Sequence, residues 1–332
     1  DAAGTALPAL RVPLGEPALL EILRNPFYLH LAARMSWSAD APPAVTRRAF
    51  RHKAWSEVVC RTGEGSAGLS IERDQVMIDV ALRRARALVP YVEINGLSAR
   101  AVEALSRDSL LAPDPNDPTA RAAPAHDLYE DWALLQWLSR LLEQTGGVNT
   151  AFFDALGTYP AMRRCFRLWL LEQLDGAFAE AQEHVFAVMS NTALPAHWRD
   201  EALVAVFQSV SAPNLLQQLG NRLVSDVGLL RRAVHLLRVS CRSLSEGGVD
   251  PSTLEPDALV PSGFAWNAMP AIILQASQGL LVPDLIWILA FLEDWARAAR
   301  VQPDPPAAME VARLCNLLLG NSRHILESYQ ET

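Results

Sequence analysis

Two short stretches of this 332-residue chain hold residue types that could do chemistry. The first is AHDLYEDWALLQWL, residues 125–138, where an Ala- and Pro-rich linker turns into an amphipathic helix with His126 and Asp127 at the changeover. Asp127 is placed to cap the first turn, because a short acidic side chain can accept from the orphan N–H groups there. The imidazole of His126 then sits just outside a helix N-terminus, where a ring N–H can be aimed at an anion. The plainer alternative is a histidine that only caps or packs. The second stretch is LRNPFYLHLA, residues 23–32, in which Pro26 interrupts an apolar helical pattern; taken alone, it is a kink or a helix start. RRAFRHK, residues 47–53, puts five basic residues around Phe50. It reads as a solvated helix face, a face against a neighbouring domain, or a nucleic-acid contact. Glu-Asp-Trp occurs at 130–132 and again at 293–295. Adjacent helical residues diverge by about 100°, so these are expected to be solvated helix charges rather than paired catalytic carboxylates.

Other chemistries lack their residues. The chain has no G-x-x-x-x-G-K-[ST] to cradle phosphates, no apolar strand ending in acidic residues to hold magnesium, no G-x-S-x-G and no H-E-x-x-H. Cys60, Cys165, Cys241 and Cys315 lie far apart without a C-x-x-C and read as buried, reduced thiols of a cytoplasmic protein. A formal net charge of −8 argues against a chain-wide nucleic-acid footprint. Residues 258–283 carry no charge and must be weighed as a membrane span, but Pro261, Asn267, Pro270, Gln275 and Gln278 break them into pieces too short and polar for one. A buried helical pair is expected there instead, and no membrane contact.

Half of the residues are hydrophobic and a fifth charged, enough apolar material for a large core divided over two or three compact units. The elements that position the candidate residues are helical almost throughout. Residues 16–35 form a helix interrupted at Asn25-Pro26; 42–60 and 71–89 form two more, separated by the Gly-rich 61–68. A short helix follows with Ser98 as its N-cap. Next comes the polar turn PDPNDPTARAAPA, residues 113–125, between two short extended pieces. The helix 127–143 then buries Leu128, Trp132, Leu135, Leu138 and Leu142. From 149 onward we count nine helices and no strand candidates. Leu203, Val206, Phe207 and Val210, like Val227, Leu230, Val234, Leu237 and Cys241, recur at three and four residues. Trp132, Trp169, Trp198, Trp287 and Trp295 lie within such patterns and read as packing residues. Stacked helical pairs of the solenoid type are expected, with an irregular helical domain as the alternative, since no repeat has a clean consensus.

Helices, a small hairpin and a closing helix are the order of a winged-helix unit. With Pro26 in LRNPF and His126-Asp127 in AHDLYEDWAL, the stretch from about residue 16 to 143 resembles the helical lid and winged-helix domain of the STAND class of P-loop NTPases. That class includes NLR-type immune receptors and bacterial antiviral sensors. The resemblance implies a mainly α chain with a helical lid over 1–90, a winged-helix domain over 91–148 and a solenoid-like helical-repeat sensor over 149–332. In that class a lid proline packs near the adenine, which maps onto Pro26. The histidine of a Met-His-Asp motif contacts the β-phosphate of ADP, which maps onto His126 followed by Asp127; Ala125 stands where the class has Met. ADP or ATP with magnesium is then implied for a parent protein that is an ATPase with an upstream NTPase domain. This portion by itself is expected to bind no cofactor and to hydrolyse nothing. A protein ligand on the helical repeats and homo-oligomerisation on activation are implied as well. A free-standing helical scaffold for a protein or peptide is the alternative. A winged-helix DNA binder is disfavoured, because Arg100 and Arg107 in the candidate recognition helix are balanced by Glu103 and Asp108.

Overall fold

The structure, a computed structural model, describes residues 17–37, 46–63, 67–244, 259–281, 283–301 and 307–321. It is mainly helical, and the chain divides into two compact units, Asp1–Glu172 and Gln173–Thr332.

In the first unit, α1 (Pro17–Leu23) and α2 (Pro26–Ala32) are the two halves of the interrupted stretch. Asn25 caps α2, its Oδ1 accepting from the Phe27 N–H at 2.9 Å, and Pro26 takes the first helical position, where its missing N–H forfeits no bond. α3 (Arg47–Ala54), capped by Thr46, runs on into a π-helical turn, Trp55–Cys60, which Arg61 ends in the left-handed region at φ 54°. α4 (Ala67–Ala87) begins inside the Gly-rich stretch expected to be linker. It also holds the π turn. Arg73, 2% exposed, donates to the carbonyls of Val59 (2.6 Å) and Val58 (3.2 Å), and the Ser70 hydroxyl donates to that of Cys60 (2.6 Å). These carbonyls lie at the end of the turn, where no further helical turn supplies donors. Arg73 also pairs with Asp108 at 2.8 Å, just past the end of α5 (Ala99–Arg107), and Arg61 takes the other oxygen of the same carboxylate at 2.8 Å. One buried guanidinium thus joins the π turn, α4 and the end of α5.

The expected hairpin is present. β2 (Leu111–Asp114) and β3 (Asp117–Pro124) pair antiparallel with Leu111 opposite Pro124, and β1 (Val92–Glu93) adds a third strand on the far side of β3. Ser98 caps α5 as expected. α6 (Asp127–Thr145) packs against α4, β3 and α7 (Thr150–Leu156), and being covered on several sides it buries more than a stripe. Tyr129, Ala133, Leu134 and Leu141 are buried with Trp132, Leu135 and Leu138, whereas Leu128 and Leu142 are only half-buried. α8 (Pro160–Gly176) follows, and the first unit ends within it.

In the second unit come α9 (Phe178–Ser190), α10 (Ala196–Gln208), α11 (Ala212–Ser225), α12 (Val227–Ser240), α13 (Ala265–Ala276), α14 (Asp284–Val301) and α15 (Ala308–Gly320). α10, α11 and α12 each pack on the next helix and on the next but one, and α13 packs on α15 in the same way, which is solenoid-like stacking of helical pairs. Leu203, Val206, Phe207, Leu230, Val234 and Leu237 are core, but Val210 lies beyond the end of α10 and is 65% exposed. Contrary to the sequence expectation, two strands interrupt the array: β4 (Arg242–Leu244) pairs antiparallel with β5 (Leu259–Pro261). Asp294 of α14, also buried rather than solvated, anchors the ribbon by pairing with Arg238 and Arg242, each at 2.7 Å. Trp266 donates its indole N–H to the Cys241 carbonyl at 2.9 Å and stacks on Phe291. Pro270 does not break the uncharged stretch, as expected, but lies buried inside α13. Among the described residues no helix is long and apolar enough to cross a membrane. Cys60, Cys165 and Cys241 are buried as expected; Cys315, on α15, is exposed.

Candidate functional site

The proline and histidine stretches, far apart in sequence, meet in the first unit. Phe27, next to Pro26 in the first turn of α2, lies over the His126 ring with centroids 4.1 Å apart and planes at 28°. Its edges face Tyr129 at 5.2 Å and Trp132 at 6.2 Å, while Tyr28 stacks on Trp132 and meets Phe50 edge-on. Aromatic pairs of this kind contribute about 0.5–1.5 kcal/mol each beyond their burial, so the start of α2 is held firmly to the start of α6. Pro26 itself is exposed. Its part in the geometry is to start α2 at the residue that aims Phe27.

Asp127 does not cap α6. The chain leaves β3 extended and is still extended at His126 (φ −150°, ψ 144°), so His126 is the N-cap and Asp127 is already the first helical residue. The Leu128 N–H donates to His126 Nδ1 at 3.1 Å. Nδ1 therefore carries a lone pair, the neutral ring holds its proton on Nε2, and Nε2–H is the ring's remaining donor. The Asp127 side chain is 78% exposed and 3.7 Å from Arg84, a favourable charge at the positive end of the helix dipole.

Arg84, from α4, also pairs with Glu130 one turn into α6. Burial raises the Glu130 carboxyl above its usual range, and Arg84 offsets part of that rise. Asp131 is raised by burial too, against the pull of Arg164 at 2.5 Å. The Tyr129 hydroxyl is raised by burial and partly restored by Arg34 beside it. Thus the Glu130-Asp131 pair is not a solvated pair of helix charges; each carboxylate diverges to its own arginine. In the other Glu-Asp-Trp, Glu293 is exposed and pairs within its helix to Arg297.

The basic run at 47–53 is only partly a solvated face: Arg47 and His52 are exposed, but Arg51 and Lys53 turn to partners. Arg51 is 3% exposed and makes a bidentate pair with Glu172 of α8, at 3.1 and 2.7 Å; its Nη1 has no hydrogen-bond partner among the described residues. Lys53 pairs with Glu57 and lies over the Trp37 ring. On α5, Arg100 is held by Glu72 and Arg107 by Glu103, which leaves little free positive charge for a DNA groove.

An open cleft of about 510 Å³ elsewhere in the first unit is lined by Cys60, Ser70, Ile71, Asp74, Gln75 and Arg140. Its charged groups are already engaged: Asp74 accepts from the Trp55 indole at 2.8 Å and from Arg140 at 2.7 Å. Burial, with Asp74 adding to it, pushes the Cys60 thiol up to about 12, which removes it as a nucleophile near neutrality.

Sequence reasoning placed Pro26, His126 and Asp127 at their helix starts but missed Phe27, Arg84 and Arg34, which set their surroundings. The aromatic after the proline was the one available signal. Among the described residues no group of three His, Cys, Asp or Glu is placed to hold a metal ion. No protein-family model matches this chain, and no curated protein sequence matches it.

Proposed function

We propose that this chain is the regulatory and sensor portion of a bacterial, cytoplasmic STAND-type ATPase, gating nucleotide-dependent oligomerisation in response to a ligand, with antiphage defence as its setting. The observation that carries the reading is the Phe27–His126 stack, which puts the proline-bearing helix start and the His-Asp helix start side by side behind a winged hairpin. An Nε2–H with no partner among the described residues, at the positive end of the 19-residue α6, suits one phosphate oxygen, and exposed Pro26 suits the face of a base. Those residues fit one edge of ADP and no more. In this reading magnesium and the remaining phosphate contacts belong to an upstream NTPase domain, which supplies the hydrolytic chemistry. The helical pairs of the second unit would carry the protein ligand whose binding biases a two-state closure.

The test is nucleotide content and exchange in the parent protein, extended upstream, with and without His126→Ala. Purified parent carrying ADP that the variant loses or exchanges faster supports the reading. A nucleotide-free parent indistinguishable from the variant favours a helical scaffold for a protein or peptide partner. One observation speaks for that second reading: His126 already has a structural task, with Nδ1 spent on the cap and one ring face covered.

A further inference from the structure

We infer that His126 is a proton-gated latch between α2 and α6. The inference stands on the geometry of the ring and does not depend on the nucleotide reading. In the neutral form the ring does two jobs at once: its Nδ1 lone pair accepts the Leu128 N–H, and its face lies on Phe27. The two jobs respond oppositely to a proton. Protonation at Nδ1 replaces the lone pair with an N–H that faces another N–H, so the cap cannot persist. It also places a positive charge at the positive end of α6. The Phe27 face, in contrast, attracts a cation more than a neutral ring. The imidazolium therefore stays stacked on α2 and lets go of α6, and the Leu128 N–H loses its acceptor.

The elements that meet at the ring bring charged and titratable groups of both signs. α6 contributes Asp127, Tyr129 and Glu130, α4 contributes Arg84 paired to both carboxylates, and Arg34 follows α2 beside the Tyr129 hydroxyl. β3 leads in through Ala122, Ala123 and Pro124 and brings no charge. Among the described residues no neighbour is placed to replace the cap when the ring protonates: the Asp127 carboxylate is on the helix side of the junction and turned to Arg84 and solvent. Protonation of the ring is therefore the event that opens the latch.

The experiment is a pH titration of the full chain, labelled with ¹⁵N-histidine and ¹⁵N-leucine and followed by NMR, with the Leu128 amide assigned through Leu128→Met. At the neutral end the His126 nitrogens should show the Nε2–H form. As the ring titrates, the Leu128 amide should shift with the same midpoint. His126→Asn supplies an acceptor that does not titrate; it should keep α6 capped and abolish the Leu128 transition. Phe27→Leu should keep the transition while removing the ring-current shift on His126. The inference is overturned by an Nδ1–H ring at neutral pH, by a Leu128 amide that ignores the titration, by its persistence in His126→Asn, or by a ring that stays neutral until the chain unfolds in acid.

Discussion

Replacing His126 by Ala removes both an N-cap acceptor and a stacked ring, and the loss of the cap alone should lower stability by about 0.5–2 kcal/mol in denaturant unfolding. His126→Asn should recover most of the cap and none of the stack, so the two variants separate the contributions. A second residue-scale expectation concerns the thiols. In the native chain a maleimide should label Cys315 rapidly and leave Cys60, Cys165 and Cys241 unmodified until the chain unfolds, because those three are buried and burial raises each thiol above its usual range. Mass spectrometry of the labelled protein checks it; fast modification of Cys60 would contradict the packing around the π turn. That the His-Asp pair starts a helix was legible in the sequence, because polar residues at the edge of an amphipathic pattern mark a boundary. Which of the two caps was not, since that turns on the backbone angles of one residue. The partner ring, Phe27, was hidden by its distance along the chain.

At the scale of elements, the π-helical turn is the part most dependent on a single side chain. Arg73 satisfies two of its carbonyls and the Asp108 carboxylate at once, so Arg73→Met should leave the Val58 and Val59 carbonyls without that donor and Asp108 on Arg61 alone, and cost about 1–3 kcal/mol for each buried group left unpaired. Arg107→Ala, which breaks an exposed pair one turn apart on α5, should cost about 0.3–0.5 kcal/mol. Equal effects in urea unfolding would mean that the π turn does not rely on Arg73. Long amphipathic helices and the hairpin could be read from the sequence because their period repeats over many residues. β1 and the β4–β5 ribbon could not: two or three residues carry no period, and their pairing is decided by what packs beside them. Pro270 misled for a related reason. A proline breaks an isolated helix, but one buried within α13 is carried by the packing on either side.

For the molecule as a whole, the first unit reaches past the β2–β3 hairpin and α6 to Glu172, and two ion pairs say why. Arg51 with Glu172 and Asp131 with Arg164 tie α3 and α6 to α8. A fragment ending at residue 148 loses both and should unfold at lower denaturant than one ending at 176, as a circular-dichroism titration would show. Acidity should act in two opposite ways. Glu130 and Asp131 have folded values above the usual carboxylate range, so the folded chain holds more protons there and loses stability as pH rises through that window. Asp131→Asn should therefore show a smaller loss of stability than the parent as pH rises above about 4. Glu72 is pulled down to about 2 by Arg100 and Ser98, so its stabilisation is present at neutral pH and disappears as pH falls toward that value. Urea midpoints measured across this range would distinguish the two. The β4–β5 ribbon bears on engineering. Ser243 and Val260 lie opposite each other across it, so a cysteine pair at these two positions is the cross-link that the second unit offers without any change of register.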